Sequence, residues 1–496
     1  MKLKHGSREE KNGWTVLSIK GTASERGYAH GYLMAPELKE ICKMLDFNFL
    51  NTYGYTREFL CEVVSELFGP QIQTNYPELY AEMSAIAKGA SANGFKISVD
   101  EIITWNCYPS IDSMIGSFHV LIPANAKLNA KYGDMFNIET GAVKSGRGEG
   151  GGQKDHCTAF MAVGNYTKDG KIVCVHNSFD NFIDGQYCNL MVDITPSEKN
   201  ANRILMQSAA GWISSGTDFY VTSNGFICTE TTIGGFSKFT LKDPICCRIR
   251  QAMQYAKSLD DCTKYLTTNN SGDYANSWLI GDTKTNTIMR IELGLQYVNV
   301  EKKTNGYFIG YNAPEDPRIR NLECVNTGYD DIRRHQGARR VRLTQFMEQY
   351  KGKLDTTIGK EILADHFDIY LNKINPCSRT CCSHYELDDR AFMSQAERPK
   401  PYQLRGALDG IVCDTTLAKQ MSLCARWGTS CGTPFETKPF FKQHIQWRDQ
   451  EPYVKDRPYQ PWTVFTLEHA STNKNKTKMK IERIMKLRQK NKTRKL

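Results

Sequence analysis

Residues 157–182 read CTAFMAVGNYTKDGKIVCVHNSFDNF. Residues 157–163 and 171–176 are two apolar runs with β-branched residues, and Asp169-Gly170 between them is a hairpin signal. A two-residue turn there sets Cys157 opposite Phe182 and runs His176, Asn177 and Asp180 alongside the start of the first strand. Immediately upstream, residues 124–156 are polar and end in GRGEGGGQKDH, where Gly146, Gly148, Gly150, Gly151 and Gly152 make a flexible linker. The glycines are not a phosphate cradle, because no Lys-Ser/Thr pair follows at the required spacing and a strand, not a helix, comes next.

A cysteine that opens a strand just after a flexible linker has a specific chemical use. If the bond before it is cut, the residue gains a free α-amine beside its own thiol. Such an amine titrates near pH ~7.7–8.0, so it can take the thiol proton and later hand it to a leaving group. One residue then supplies nucleophile and base, and an oxyanion site is the remaining need.

Outward from this hairpin, TVLSIKG reads as a strand before the helix start SERGYAHG, and residues 57–104 carry helical spacing in Leu60, Val63, Val64 and Leu67. Downstream, LMVDI, FYVTS, GFICTETTIG, SWLIGD, TIMRIEL and YFIGYN read as strands. CRIRQAMQYAKSL, ARRVRLTQFMEQY and GKEILADHF read as helices, and so does MSLCARW. Strands in runs, without regular alternation with helices, indicate an α+β fold of antiparallel sheets covered by helices.

The chain has 496 residues, 40% of them hydrophobic and 11% aromatic, which fills a large core and excludes global disorder. No apolar run approaches the ~18 residues of a membrane-spanning helix. Residues 472–496 hold eight Lys, three Arg and one Glu, so the whole net charge of +10 sits in a terminal tail and the remainder is neutral. That is the pattern of an appendage, a membrane-surface or polyanion contact, a targeting signal or a solvated end, and not of the basic face of a specific nucleic-acid binder. The N-terminus has no apolar segment of a secretory signal. Sequons stand at Asn165, Asn269, Asn475 and Asn491, and 17 cysteines fit either eight disulfides plus one thiol or a fully reduced set.

Several stretches together resemble one family. SAAGWISSGTDFYVTSNGFICTETTIG (208–234), NNSGDYANSW (269–278), IGYNAP (309–314), VHNSFDNF (175–182) and PYQLRGALDGIVCDTT (401–416) are similar to the phospholipase B-like (lamina ancestor) proteins. SERGYAHG and the Cys-Thr start are similar to the related acyl-coenzyme A:6-aminopenicillanate acyltransferases. The resemblance covers roughly residues 14–465 and implies an N-terminal nucleophile hydrolase: a four-layer αββα sandwich of two antiparallel sheets. In it, residues 1–123 would be the first part of the fold, 124–156 the linker with autocleavage at His156–Cys157, 157–471 the catalytic core, and 472–496 a tail.

The resemblance makes Cys157 the expected nucleophile. His176 and Asp180 are expected to orient it, Asn177 to accompany them, and Thr232 with Asn312 to hold the oxyanion. Asn276 matches the Asn of an Asn-x-Trp signature, and Arg340, or its neighbour Arg339, a basic residue near the site. Phe179 stands where the family usually has Trp, a change expected to reshape the acyl pocket. The implied activity is hydrolysis of an amide or ester of an acylated small molecule or phospholipid, with no metal or organic cofactor, in a lysosomal or secreted setting. The runner-up is an inactive relative that binds lipid or polyanion through the tail.

Two other constellations are weaker. Cys377, Cys381, Cys382 and His384, with Cys413, Cys424 and Cys431 downstream, lack the paired C-x2-C halves of zinc folds, so disulfides or free thiols are the simpler reading. Gly428–Gly432 matches G-x-S-x-G, but without a buried strand before it and a helix after it Ser430 reads as a loop residue.

Overall fold

The computed structural model describes residues 2–136, 157–388 and 404–466. Most of the linker, His156, the tail, Asn475 and Asn491 lie outside the described residues. Residues 1–465 form one compact unit, and the remainder a second, of which only Thr466 is described.

In chain order the strands are β1 (Lys2–Leu3), β2 (Gly6–Lys11), β3 (Trp14–Gly21), β4 (Cys157–Val163), β5 (Val173–Asn181), β6 (Leu190–Pro196), β7 (Ile204–Ser208), β8 (Tyr220–Thr222), β9 (Phe226–Thr232) and β10 (Asn276–Asp282). They continue with β11 (Thr287–Leu293), β12 (Val298–Lys303), β13 (Gly306–Gly310), β14 (Phe367–Asp368), β15 (Lys373–Ile374), β16 (Arg405–Ala407), β17 (Asp409–Asp414), β18 (Ser422–Trp427) and β19 (Thr463–Thr466). A ten-stranded sheet runs β1-β2-β3-β6-β7-β8-β9-β10-β11-β12, and a seven-stranded sheet runs β13-β4-β5-β17-β18-β19 with β16 on β5. The pairs around Cys157 are antiparallel, whereas β3 and β6 pair in parallel.

Alternation along β4 and β5 sets the layers. Phe160, Ala162, Val173 and Val175 pack with Leu343, Phe346, Met347, Ile362 and Leu363 of the helices His335–Gln349 and Thr356–Leu363. The opposite face, with Cys157, Ala159, Met161, Cys174, His176 and Ser178, looks onto the ten-stranded sheet, where β4 crosses β9, β10 and β11. Glycines permit the approach: a Cβ on Gly310 would lie 2.4 Å from the Thr231 side chain, and one on Gly281 would lie 3.1 Å from Met161 Sδ. Helices Ile245–Tyr255 and Leu259–Thr267 cover the other side of the ten-stranded sheet. The architecture is the α+β fold that the strand runs imply and the four-layer αββα sandwich that the resemblance implies, except that β3 and β6 make one parallel pair in the ten-stranded sheet.

The first helix, Ala23–Leu33, starts on a T-x-x-E capping box, Thr22 with Glu25. It packs backbone to backbone on the helix Pro77–Ala92: Cβ atoms on Gly27, Gly31 and Gly89 would fall 2.3 Å from Glu82 O, 1.9 Å from Ile86 O and 2.1 Å from Tyr28 O. Between them Arg26, fully buried, pairs with Glu82 and Glu78 at 2.6 Å and with Glu198 at 2.7 Å, and Arg250 meets Glu82 at 3.0 Å.

Three sequence expectations are corrected. Cys157 pairs with Ser178, not Phe182, because the chain leaves β4 in a 3-10 turn at Gly164–Tyr166 and re-enters only at Val173. The connection is therefore longer than a two-residue turn, and its centre lies before Asp169. Part of the expected linker is a helix, Ala126–Phe136: Leu128, Tyr132 and Phe136 recur every four residues, and the two rings lie 4.8 and 6.2 Å from Phe59. MSLCARW contains strand β18, since pairing with β17 overrides the helical preference of Met, Leu and Ala.

His176 is fully buried between the sheets, and neither ring nitrogen makes a hydrogen bond of normal geometry among the described residues. Burial pushes its pKa down to about 3, opposed by the nearby Glu230 backbone. All seventeen cysteines are outside disulfides and fifteen are buried. Among the described residues no helix is long and apolar enough to cross a membrane.

Two predictions follow from this packing. Gly31→Ala should lower unfolding free energy by about 1–3 kcal/mol or more, read from a denaturant midpoint, because its Cβ has no room. For His176, the unfolded chain takes up a proton below pH ~6.5 that the folded chain refuses until about pH 3. Stability should therefore fall as pH drops through that window, by up to about 1.4 kcal/mol per unit from this group. His176→Leu should flatten the slope by about one proton in unfolding curves collected across it.

Candidate active site

A strand that begins between two sheets leaves its first backbone groups without ladder partners, so side chains must satisfy them. At Cys157 the backbone N–H donates to Asn312 Oδ1 at 3.4 Å, and the carbonyl accepts from the Arg339 guanidinium. Arg339 also donates to Thr158 Oγ1 at 3.1 Å, Tyr311 O at 3.2 Å and Asn312 Oδ1 at 2.8 Å, and it stacks on Phe179 at 4.8 Å. Asn312 follows β13 with φ +67°, a left-handed conformation that Asn tolerates, and its Nδ2 donates to Thr232 O at 2.8 Å.

Arg339, fully buried, is thus the basic residue of the site, and Arg340 is not. One step along the helix swings Arg340 outward, where it donates to Tyr329 O at 2.9 Å and pairs with Asp330 at 3.1 Å. Phe179 and Asn177 lie on the outer face of β5, away from the thiol. Phe179 is a platform for Arg339 and is not among the described residues that line the cavity next to Cys157. Asn177 Oδ1 accepts from Thr158 N at 3.2 Å, while its Nδ2 donates to Cys381 O at 3.0 Å and Ser430 Oγ at 3.2 Å.

The thiol itself faces the ten-stranded sheet. Cys157 Sγ lies 3.7 Å from Glu230 Oε1 of β9, an acid that the sequence reading passed over although it sits inside the quoted stretch TETTIG. Thr232 Oγ1 lies 3.4 Å from the same oxygen. Tyr274 OH is 3.3 Å from it, 3.0 Å from Thr232 Oγ1 and 3.1 Å from Asp218 Oδ2. Burial, then the neighbouring Asp218 carboxylate, holds the Glu230 carboxyl well above the usual range. Burial, with Glu230, Asp218 and Asp409, also pushes the Cys157 thiol up, and Arg339 opposes the rise.

Asn276 pairs with Thr232 across β9–β10 and so shares the face that bears Glu230. It is fully buried, and neither atom of its amide has a hydrogen-bond partner among the described residues. His176 shares the Cys157 face two residue pairs further along, opposite Ala159. Asp180 is on that face too, its Oδ1 accepting from Asn181 N at 2.7 Å. Ser430 is in a turn after β18; its hydroxyl donates to Leu363 O at 2.6 Å and has no histidine as hydrogen-bond partner among the described residues.

A cavity of about 100 Å³ opens from Cys157, Asp218, Glu230 and Tyr274. Tyr53, Trp105, Tyr108 and Trp212 supply aromatic wall, the two indoles 5.0 Å apart. Asp112, Asp180 and Asp184 also line the cavity and gather around the phenols of Tyr53 and Tyr108, Tyr108 OH donating to Asp184 Oδ2 at 2.5 Å. No Lys, Arg or His is among the described residues that line it.

Comparison with known proteins bears on the same residues. The chain is 27% identical to "Phospholipase B" of Crotalus adamanteus over 302 residues, 54% of this chain and 51% of that protein. It is 26% identical to "Putative phospholipase B-like 2" of Rattus norvegicus over 257 residues, 46% of this chain and 44% of that one. The chain thus spans about half the length of these curated relatives. Among solved structures, a mutant conjugated bile acid hydrolase from Clostridium perfringens aligns at 10% identity and a TM-score of 0.29, over 54% of this chain and 89% of that one. The profile of the family described as Phospholipase B matches residues 7–461, through both sheets and every residue placed around Cys157, and the chain belongs to that family.

Proposed function

We propose that the chain is a self-processing cysteine hydrolase that cleaves an ester or amide of an acylated substrate carrying a positive charge. The observation that carries this reading is the position of Cys157. It is the first residue of a buried strand, its nitrogen is held by Asn312, and its thiol stands on a cavity wall 3.7 Å from the Glu230 carboxyl.

In the precursor, Cys157 Sγ attacks the His156 carbonyl carbon, the peptide C–N bond breaks, and the thiol proton passes to the departing nitrogen. Water hydrolyses the resulting thioester, leaving a carboxylate on His156 and a free amine and thiol on Cys157. That amine stays within reach of Asn312 Oδ1. During turnover it takes the thiol proton, Sγ attacks the acyl carbonyl, and the proton goes to the leaving alcohol or amine before water releases the acid. Asn276 is the suited oxyanion donor, because its amide is unpaired whereas the Asn312 amide is engaged by Thr232 O. Arg339 and Asn312 position the nucleophile.

The cavity favours a cation beside Asp112, Asp180 and Asp184. Aromatic faces and carboxylates attract ammonium groups, and a desolvated cation–aromatic contact contributes about 2 kcal/mol or more. Family names that include phospholipase are consistent with amine-bearing head groups. The proposed setting is the lysosome or the exterior, and the tail is a further proposed contact to membranes or polyanions.

Two experiments test this. On a reducing gel with end sequencing, the protein should give pieces of 156 and 340 residues, the second starting Cys-Thr-Ala-Phe, and Cys157→Ala should stay whole. Trimming of the linker shortens only the first piece. An uncut chain after acidification and protease treatment would overturn the hydrolase reading in favour of an inactive binding relative. Separately, a choline ester should be hydrolysed about tenfold or more faster in kcat/KM than its neutral 3,3-dimethylbutyl counterpart. Equal rates would remove the cation site and leave the Cys157 chemistry standing.

A further inference from the structure

His366, Cys382, His384 and Cys431 come together on the outer side of the seven-stranded sheet, with their ligand atoms all within 4.8 Å of one another. Cys382 Sγ is 3.2 Å and Cys431 Sγ 3.5 Å from His384 Nε2. Around a tetrahedral zinc ion, with Zn–S of about 2.3 Å and Zn–N of about 2.0 Å, corner atoms lie roughly 3.3–3.8 Å apart. The two sulfur–His384 separations are of about that size, and the whole set, within 4.8 Å, needs only a small contraction around an ion.

The surroundings match metal chemistry as well. His384 Nδ1 meets Glu386 Oε1 at 2.7 Å, which fixes Nδ1 as the protonated nitrogen and turns the Nε2 lone pair toward the two sulfurs. His366 Nε2 is buried and has no hydrogen-bond partner among the described residues. Thr433 N–H points at Cys431 Sγ from 3.4 Å. Two thiols and two imidazoles fill a four-coordinate shell and leave no open position, the form of structural and not catalytic zinc.

We propose that these four residues bind a zinc ion that clamps the loops behind the nucleophile strand. His366 precedes β14, Cys382 and His384 belong to the loop after β15, and Cys431 lies in the turn after β18, so the ion would tie three separate segments. The tie bears on the active site through the neighbouring Cys381, whose carbonyl accepts from Thr158 Oγ1 at 3.1 Å and Asn177 Nδ2 at 3.0 Å. Those two residues flank Cys157 on the back of β4 and β5. The site stands independently of the hydrolase reading.

The test uses the full-length protein. After extensive dialysis, elemental analysis should find about one zinc per chain. Cobalt-exchanged protein should show the intense visible bands of a tetrahedral ion and thiolate-to-cobalt charge transfer. Cys382→Ser and Cys431→Ser should lose both, His384→Cys should keep a bound ion, and Cys157→Ala should leave metal content unchanged. Should the serine variants fail to fold, peptide mapping of the unaltered protein decides. Alkylation of Cys382 and Cys431 blocked until a strong chelator is added supports the site. Folded protein without stoichiometric metal overturns it, as does a Cys382–Cys431 disulfide or a cobalt spectrum of octahedral oxygen ligation.

Discussion

The constraint on which the rest turns is that β4 begins in the interior. An interior strand end exposes a peptide N–H and C=O to a medium that cannot solvate them, at a cost of about 1–3 kcal/mol each if left unpaired. Asn312 and Arg339 remove that cost, and each is itself held by others: Asn312 by Thr232, Arg339 by Tyr311, His335 and the Phe179 face. The same contacts that stabilise the fold fix the position of a thiol to within a hydrogen-bond length of Glu230. Structural and chemical demands meet at one residue because the strand that needs capping is the strand that carries the sulfur.

Acid–base behaviour follows from the same burial. Glu230 and Asp218 share Tyr274 in a water-poor space, and two carboxylates so placed do not both ionise readily. The pair therefore stores a proton close to the sulfur. In the intact chain the thiol is held protonated by burial and by these acids. On the proposed cleavage, a free ammonium at position 157 would reverse the local sign of charge and so would change the reactivity of the sulfur.

Much of this was legible in the sequence, and the limits have physical reasons. Strand runs and the linker-strand junction are one-dimensional signals, so β4, β5, β9, β10 and β11 could be read from them, whereas the two-sheet sandwich came from the family resemblance. Register could not, since Asp169-Gly170 is a good turn signal that a longer 3-10 connection displaces. Arg339 and Arg340 are adjacent, and only the packed face of the helix His335–Gln349 tells the buried guanidinium from the outward one. Glu230 was hidden because a carboxylate in a β-branched run reads as the solvent face of a strand, whereas here both faces are covered. Asp218 has the same difficulty, made worse by a φ of +58° in the irregular segment before β8, which no composition rule picks out.

The cysteines show most plainly why type and spacing are insufficient. Burial raises thiol pKa values and makes sulfur inert, and the thiols of Cys174, Cys228 and Cys413 fit that pattern, filling space between β strands. Cys157 is equally buried, so exposure does not set it apart; its carboxyl neighbour, its cavity and its place at a strand start do. Cys382 and Cys431 differ again, because two imidazoles converge on them, His384 from the loop of Cys382 and His366 from another segment. A linear search for paired C-x2-C halves assumes that a metal site is built from local turns, while here His366 and Cys431 are brought to Cys382 by the packing of loops across the back of a sheet. Three fates for one residue type are decided by which polar partners tertiary structure delivers to each sulfur, and the sandwich delivers a carboxylate in front of β4 and imidazoles behind it.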